Sequence, residues 1–584
     1  MNRRTFIARV ATLPLAASMP APSPAPSDKP PSDIPVLKAG PDISRYRLTL
    51  GRVLNGTGPA YTPDFLLEDI LATPGRRFTN FSGDLSGRWI GALSASATMF
   101  GESFPSLHEV VRRVIAAQHL DGYFGCTFHF DNPDDNDLAL LWGNGRLLVG
   151  LMEYYALTSG ADVLIAAKRL GDFLIRIAPH FNSQAMAEAF SADHYASSYI
   201  CWTQQTEGLA ALYAVTRDDR YRDLCATISH RIERRPGDHV HGYLSSLRGT
   251  LDLYRVTRDP SHLNRVTAAW KDIQNSGDTL ITGGVPERWT PKRDRSEGCA
   301  ECDWLRLNLG LHAATGDQVY LDTAQDTYFN EFSMNQFGTG DYGHGRLDSA
   351  GVPQTVDVRA WWCCTLHGLR TFADLQRAAF RIVSDDIYFQ FPIDSQIRTG
   401  TVSASAKSAL AETGTIRIDI EQAKAAQRLI VSRPSWADNM TITRNGNPEP
   451  GLKVEKISPG DVILLNYRMS LRVSSHATSV RPAAGQCLHF GPWLLGASSS
   501  ANPQYFNELY AQNLLDLKTA SRHAGRADSV FEVPVAQTTL RFVPAEFPEQ
   551  SAQVELRAVA EQTANQPAKW QLVFTPPSTT PPET

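Results

Sequence analysis

Four times along the middle of this 584-residue chain an apolar helix end runs into Thr and then Gly or Asp: LLVGLMEYYALTSG, GLAALYAVTRD, GTLDLYRVTRD and LNLGLHAATGD. Each phrase reads as a helix stop followed by a turn. The threonines fall at 158, 216, 257 and 315, so the spacings are 58, 41 and 58 residues. A helical hairpin takes roughly 40 to 60 residues, so each phrase closes one helical pair. Apolar positions at i, i+3, i+4 and i+7 extend from about residue 60 to 385, room for about six pairs. A superhelical array and a closed α/α ring both fit this pattern, and about six pairs favours an (α/α)6 toroid.

The flanks differ in texture. MNRRTFIARVATLPLAASMPAPSPAPS pairs Arg3 with Arg4 ahead of a short apolar segment and a Pro/Ser/Ala run, the pattern of a bacterial twin-arginine export signal. That segment is too short to span a bilayer, so a soluble protein delivered to the periplasm or outside is expected. Past Arg381, segments such as DIYFQFPID, TIRIDI and DVILLNYRMSLRV alternate or are β-branched and are bounded by Asn, Gly, Asp and Pro, a β-sandwich reading. The expected organisation is signal and linker at 1–34, N-terminal strands packed on the sandwich at 35–60 (YRLTLGRVL), and the toroid at 61–385. A β-sandwich at 386–500, a further β-rich region at 501–575 and a solvated tail at 576–584 follow. Sandwich-to-sandwich contacts would allow a homodimer. A net charge of −5 shows no basic excess, which argues against a nucleic-acid binder.

Half of the eight cysteines fall in two tight groups, Cys299 and Cys302 in SEGCAECDW and Cys363 and Cys364 in WWCC. In an exported protein the default is a disulfide, but adjacent cysteines could pair only with strain. Zinc accounts better for clustered thiols, since thiolates are its preferred ligands. A site of four cysteines would be closed and structural. Glu297, two residues before Cys299, allows instead a Cys₃Glu set without Cys302 and leaves a sulfur of depressed pKa facing a cleft. The isolated Cys126, Cys201, Cys225 and Cys487 read as buried small hydrophobes.

EGCAECDWLRLNLGLHAATGD followed by WWCCTLHGLRTF resembles the zinc-dependent β-L-arabinofuranosidases of glycoside hydrolase family 127. GGVPERW, FTNFSGDLSGRWIGALSASA and AAQHLDGYFGCTF extend the resemblance over about residues 80–385, and HFGPWLLGAS adds weaker support. Arg370 keeps the family's spacing from the cysteine pair. The resemblance implies that Glu297, Cys299, Cys363 and Cys364 hold zinc, that Cys363 is the nucleophile, and that Glu287 is the general acid/base. A thiolate would then stand in for the second carboxylate of a retaining pair. The substrate would be an oligo- or polysaccharide of plant cell walls or a related glycan.

Two departures bear on substrate. Where many members read Gly-His, this chain has Gly87-Arg88 and Gly145-Arg146, and guanidinium groups suit a carboxylated sugar. Internal ion pairs are the alternative for both arginines. The segment from 275 to 297 is short, leaving Glu287 ten residues from Glu297. His239 and His241 open a helix and are candidates to line a sugar pocket, and Trp361 and Trp362 are candidates to stack on a sugar. Two competing readings stand beside the zinc-thiolate hydrolase. One is an unsaturated uronyl hydrolase-like enzyme that uses carboxylates on the same toroid; the other is a non-catalytic carbohydrate-binding protein.

Overall fold

The structure, a computed structural model, describes residues 40 to 574 apart from 56–60, 74–77, 191–197, 290–293, 349–350, 385, 477–484 and stretches within 504–566. The export signal with its linker and the closing tail lie outside the described residues. The fold mixes helices, which come first, with sheets.

The recurring phrases have a physical meaning. The residue after each threonine is left-handed: Ser159 (φ 55°), Arg217 (φ 56°), Arg258 (φ 63°) and Gly316 (φ 74°). Thr158, Thr216, Thr257 and Thr315 donate through Oγ1 to the carbonyl four residues back and accept from the amides of Gly160, Asp218, Asp259 and Asp317. Asp218, Asp259 and Asp317 then cap the next helix by accepting from Arg220, Ser261 and Val319 amides. One short phrase thus ends a helix, turns the chain and starts its partner.

The long helices are α1 (Pro41–Asn55), α2 (Asp84–Phe100), α3 (Pro105–Ala116), α4 (Asp135–Thr158), α5 (Ala161–Phe181) and α6 (Thr206–Thr216). They continue with α7 (Asp219–Ser229), α8 (Val240–Thr257), α9 (Pro260–Asn275), α10 (Gly298–Thr315), α11 (Gln318–Thr327) and α12 (Trp362–Ala379). Helices α2, α4, α6, α8, α10 and α12 pack each against the next, and α12 packs back on α2, closing a ring. Glycines bring the backbones of α2 and α4 together: a Cβ on Gly87 would lie 2.4 Å from Leu147 Cα, and one on Gly150 would lie 2.3 Å from the Gly87 carbonyl oxygen. Helices α3, α5, α7, α9 and α11 pack outside α2, α4, α6, α8 and α10.

Among the described residues of the 35–60 segment, a helix stands where strands were expected. Residues 41–55 form α1, which packs against α12 as the ring's remaining outer helix. Ile43, Tyr46, Leu50 and Val53 are buried on one face at helical spacing, whereas Leu48, which made the segment look alternating, is 40% exposed. The Asp42 amide donates to Asp394 Oδ2 and the Asp394 amide to Asp42 Oδ2, fastening α1 to the sheets.

The stretch read as continuously helical also contains a three-stranded antiparallel sheet: β1 (Arg295–Glu297), β2 (Gly343–Leu347) and β3 (Pro353–Ala360). Beyond α12 lie a six-stranded, a four-stranded and a seven-stranded sheet. Ile418, Ile463, Val431 and Phe389 of the first two join the apolar core of the ring, while the last has cores of its own around Leu488 and Trp570. Among the described residues no helix is long and apolar enough to cross a membrane.

Candidate active site and metal centre

The closed helices run so that the N-terminal ends of α2, α8 and α12 and the N-cap residue of α10 line one cavity of about 370 Å³. Helix N-termini carry partial positive charge, which favours anions there. Cys299 lies in the first turn of α10, and Cys363 and Cys364 in the first turn of α12.

Glu297 occupies the N-cap position of α10, yet its carboxylate makes no capping hydrogen bond. It turns instead toward His239 Nε2 at 3.2 Å and His344 Nε2 at 3.6 Å. Donor atoms of Glu297, Cys299, Cys363 and Cys364 all lie within 4.8 Å of one another. Cys299 Sγ is 3.7 Å from Cys364 Sγ, and Cys363 Sγ is 3.9 Å from Cys364 Sγ. These separations exclude disulfides, whose sulfurs sit about 2 Å apart. A tetrahedral zinc with Zn–S near 2.3 Å requires sulfurs about 3.8 Å apart. The donor set therefore fits zinc in both chemistry and spacing. Cys302 is fully buried one turn along α10, outside this group.

Cys363 is half-buried and lines the cavity, whereas Cys299 and Cys364 are buried. Burial opposes ionisation of Cys363, but hydrogen bonds from Cys299 and Cys364 and the Arg88 charge hold it well below the usual thiol range. Burial and the neighbouring sulfurs push the other two up. Glu297 is held well below the carboxylate range against its burial, by His239 and His344. His344, despite burial, is raised to about 9 by Glu297.

Glu287 is buried, and a short antiparallel pairing sets its position: Pro286 bridges Ser296, and the Glu287 amide donates to the Arg295 carbonyl at 2.9 Å. The shortness of the 275–297 segment thus brings Glu287 to the centre, with oxygens of Glu287 and Glu297 and a nitrogen of His239 within 4.8 Å of one another. Arg295 lines the cavity and holds Glu287 Oε2 through Nε at 2.8 Å; Glu287 itself is not among the lining residues.

The two arginines part company. Arg88 lines the cavity, pairs with Asp84 at 2.7 Å and places Nη1 3.7 Å from Cys299 Sγ. Arg146 is buried, pairs with Glu207 at 3.3 Å and does not line this cavity, a placement that favours the internal ion pair over sugar binding. Its position puts it in an internal charge cluster with Glu207, Arg248 and Arg370. His241 lines the cavity, but both ring nitrogens are engaged: Nδ1–H donates to Asp303 Oδ2 at 2.6 Å and Nε2 accepts from Arg88 at 2.8 Å. It therefore supports Arg88 and has no nitrogen to offer a sugar. Trp362 lines the cavity and stacks on Trp361 at 4.8 Å, which stacks in turn on His344.

Sequence reasoning missed the network beneath. Asp303, fully buried, accepts from His241, His367 and Arg248, and His367 also accepts from Arg88 at 3.2 Å. Asp303 sits in CAECDW beside the noted cysteines and His367 in CCTLHG, so a signal was present. It also missed His344 and Arg295.

The model of the GH127 β-L-arabinofuranosidase catalytic domain matches residues 75–377, just over half of the chain. By class the protein is a glycoside hydrolase. Within that class the chain belongs to family 127. Among solved structures it is similar to a GH127 β-L-arabinofuranosidase from Geobacillus stearothermophilus T6, at 15% identity, covering 93% of this chain and 100% of that one with a TM-score of 0.66. It is also similar to another GH127 β-arabinofuranosidase at 15% identity, covering 92% of each chain with a TM-score of 0.65. At such identity the likeness is one of fold. No curated protein sequence matches.

Proposed function

We propose that this protein is an exported, retaining, β-L-arabinofuranosidase-like hydrolase. Its closed helices are an (α/α)6 toroid and the sheets after it a β-sandwich. Cys363 is the nucleophile, Glu287 the acid/base, and Glu297, Cys299, Cys363 and Cys364 hold zinc. The observation that carries this reading is the Cys₃Glu cluster with its one half-buried sulfur, Cys363, facing the cavity. The Arg3–Arg4 segment supports export.

Zinc bound there would keep the Cys363 sulfur anionic at neutral pH and moderate its basicity. Cys363 Sγ attacks the anomeric carbon of the sugar while Glu287 gives a proton to the departing glycosidic oxygen. The C1–O bond breaks and a thioglycosyl-enzyme forms. Glu287, now a carboxylate, takes a proton from water; the water oxygen bonds to C1 and the C1–S bond breaks. Two inversions give net retention. Arg295 holds Glu287 in place, and the Arg88–Asp303 network holds positive charge beside the sulfurs.

The test joins metal analysis with turnover. One zinc per chain and hydrolysis of an aryl β-L-arabinofuranoside with retained configuration by NMR are expected. Cys363→Ala abolishes hydrolysis. Normal turnover in Cys363→Ala would favour the carboxylate mechanism, and saturable glycan binding with no turnover a binding protein.

A further inference from the structure

Resting on the hydrolase reading above, we infer that the leaving-group side of the cavity takes a carboxylated sugar, a uronate, and that Arg359 recognises its carboxylate. The cavity is lined by four guanidinium groups, Arg88, Arg288, Arg295 and Arg359, against three carboxylates. Each of those carboxylates is engaged. Asp69 accepts from the Gly83 and Leu85 amides, Asp84 from Arg88 and the Trp142 indole, and Glu297 faces two histidines. Arg88 is spent on Asp84, Cys299 and two histidines, and Arg295 on Glu287.

Arg359 differs. It is exposed and forms no ion pair among the described residues. It lies on β3 opposite His344, two residues before Trp361. His344, Trp361 and Trp362 form a continuous stack with Phe78 edge-on to both indoles at 5.8 Å. An aromatic stack offers a surface to the face of a pyranose, and a guanidinium at its edge matches a carboxylate in bidentate fashion. Cys363 and Glu287 mark where the sugar to be cleaved must sit, in the depth of the site. An exposed arginine on the rim therefore meets the sugar beyond the scissile oxygen. The converging helix N-termini add positive potential in the same sense. The larger cavity at the far end of the ring is also rich in arginine, but Arg248, Arg255, Arg306, Arg370 and Arg377 there pair with Glu207, Asp252, Asp374 and Glu153, so most of that charge is already answered.

The experiment measures binding of methyl galacturonoside and of its neutral isostere, methyl galactoside, to the zinc-loaded full chain by calorimetry and tryptophan quenching at low salt. The uronate is expected to bind about tenfold or more tightly. Arg359→Ala should erase the difference and Arg359→Lys retain part of it. Equal binding of the two ligands, no binding of either, or a preference that survives Arg359→Ala would overturn the inference. Turnover of the aryl glycoside is scored separately: a working hydrolase without uronate preference sinks this inference alone, and absent turnover sinks the reading it rests on.

Discussion

Cys299 Sγ and Cys364 Sγ stand 3.7 Å apart although 65 residues separate them in sequence. That pair joins α10 to α12, so metal and ring share a fate. Chelation, or Cys299→Ser, is expected to remove the zinc and lower the melting temperature by several degrees, since a ligand bound only by the folded state stabilises it. Elemental analysis and thermal denaturation check this together. Full stability in a metal-free chain would be evidence against a bound ion.

Gly298 sits where the two cysteine-bearing turns touch. A Cβ there would come 2.9 Å from Cys364 Cβ and 3.3 Å from Tyr342 Cβ. Gly298→Ala should cost about 1–3 kcal/mol through overpacking and weaken zinc binding about tenfold. Competition against a chromogenic chelator measures it.

Arg146 gives a contrasting outcome. Its partner Glu207 is buried and held far below the carboxylate range by four arginines, against its own desolvation. Arg146→Met should therefore cost on the order of 3 kcal/mol in urea denaturation and affect acidic and neutral glycosides equally. A selective change in one class would return Arg146 to the substrate site.

Glu287→Gln should cut kcat by about 10²–10⁴ on glycosides with poor leaving groups and by less on nitrophenyl glycosides, whose oxygen departs without a proton. A uniform loss across leaving groups would argue for a merely structural carboxylate.

Stability should peak in mildly acidic solution. Burial raises Glu331 to about 7 and Asp326 to about 6, so the folded chain keeps these protons after the unfolded chain has released them. Stability then declines as pH rises from about 4 to 7, by roughly 3 kcal/mol for each fully buried group. Glu207 and Asp374 are shifted the other way, and their contribution is lost as pH falls below about 4.5. Melting temperatures from pH 3 to 9 should trace this dome, and Glu331→Gln should flatten its alkaline side.

Much of this was legible in the chain. The threonine phrases announce helix ends because their hydrogen bonds are local, and Glu297, Cys299, Cys363 and Cys364 stand out because metal ligation needs rare residues at close spacing. Three features were hidden. The α1 face of Ile43, Tyr46, Leu50 and Val53 is masked by Leu48, which mimics alternation within a short window. The β2–β3 hairpin is held by pairing that no helical period reveals. Arg146 and Arg88 share the same local text, Gly-Arg, yet Arg88 lines the cavity while Arg146 is buried against Glu207, and only tertiary placement distinguishes them.

Arg45 near the start of α1 donates to the carbonyl of Ala560, 515 residues onward, and the Asp42 amide donates to the Asp394 carboxylate, 352 residues onward. The first described helix thus takes partners both from within the ring, at Ser333 and Gln336, and from the sheets beyond it. A clone truncated after α12 would keep the first set of partners and lose the second, so the sheets act as a brace on the outermost helix rather than as its sole support.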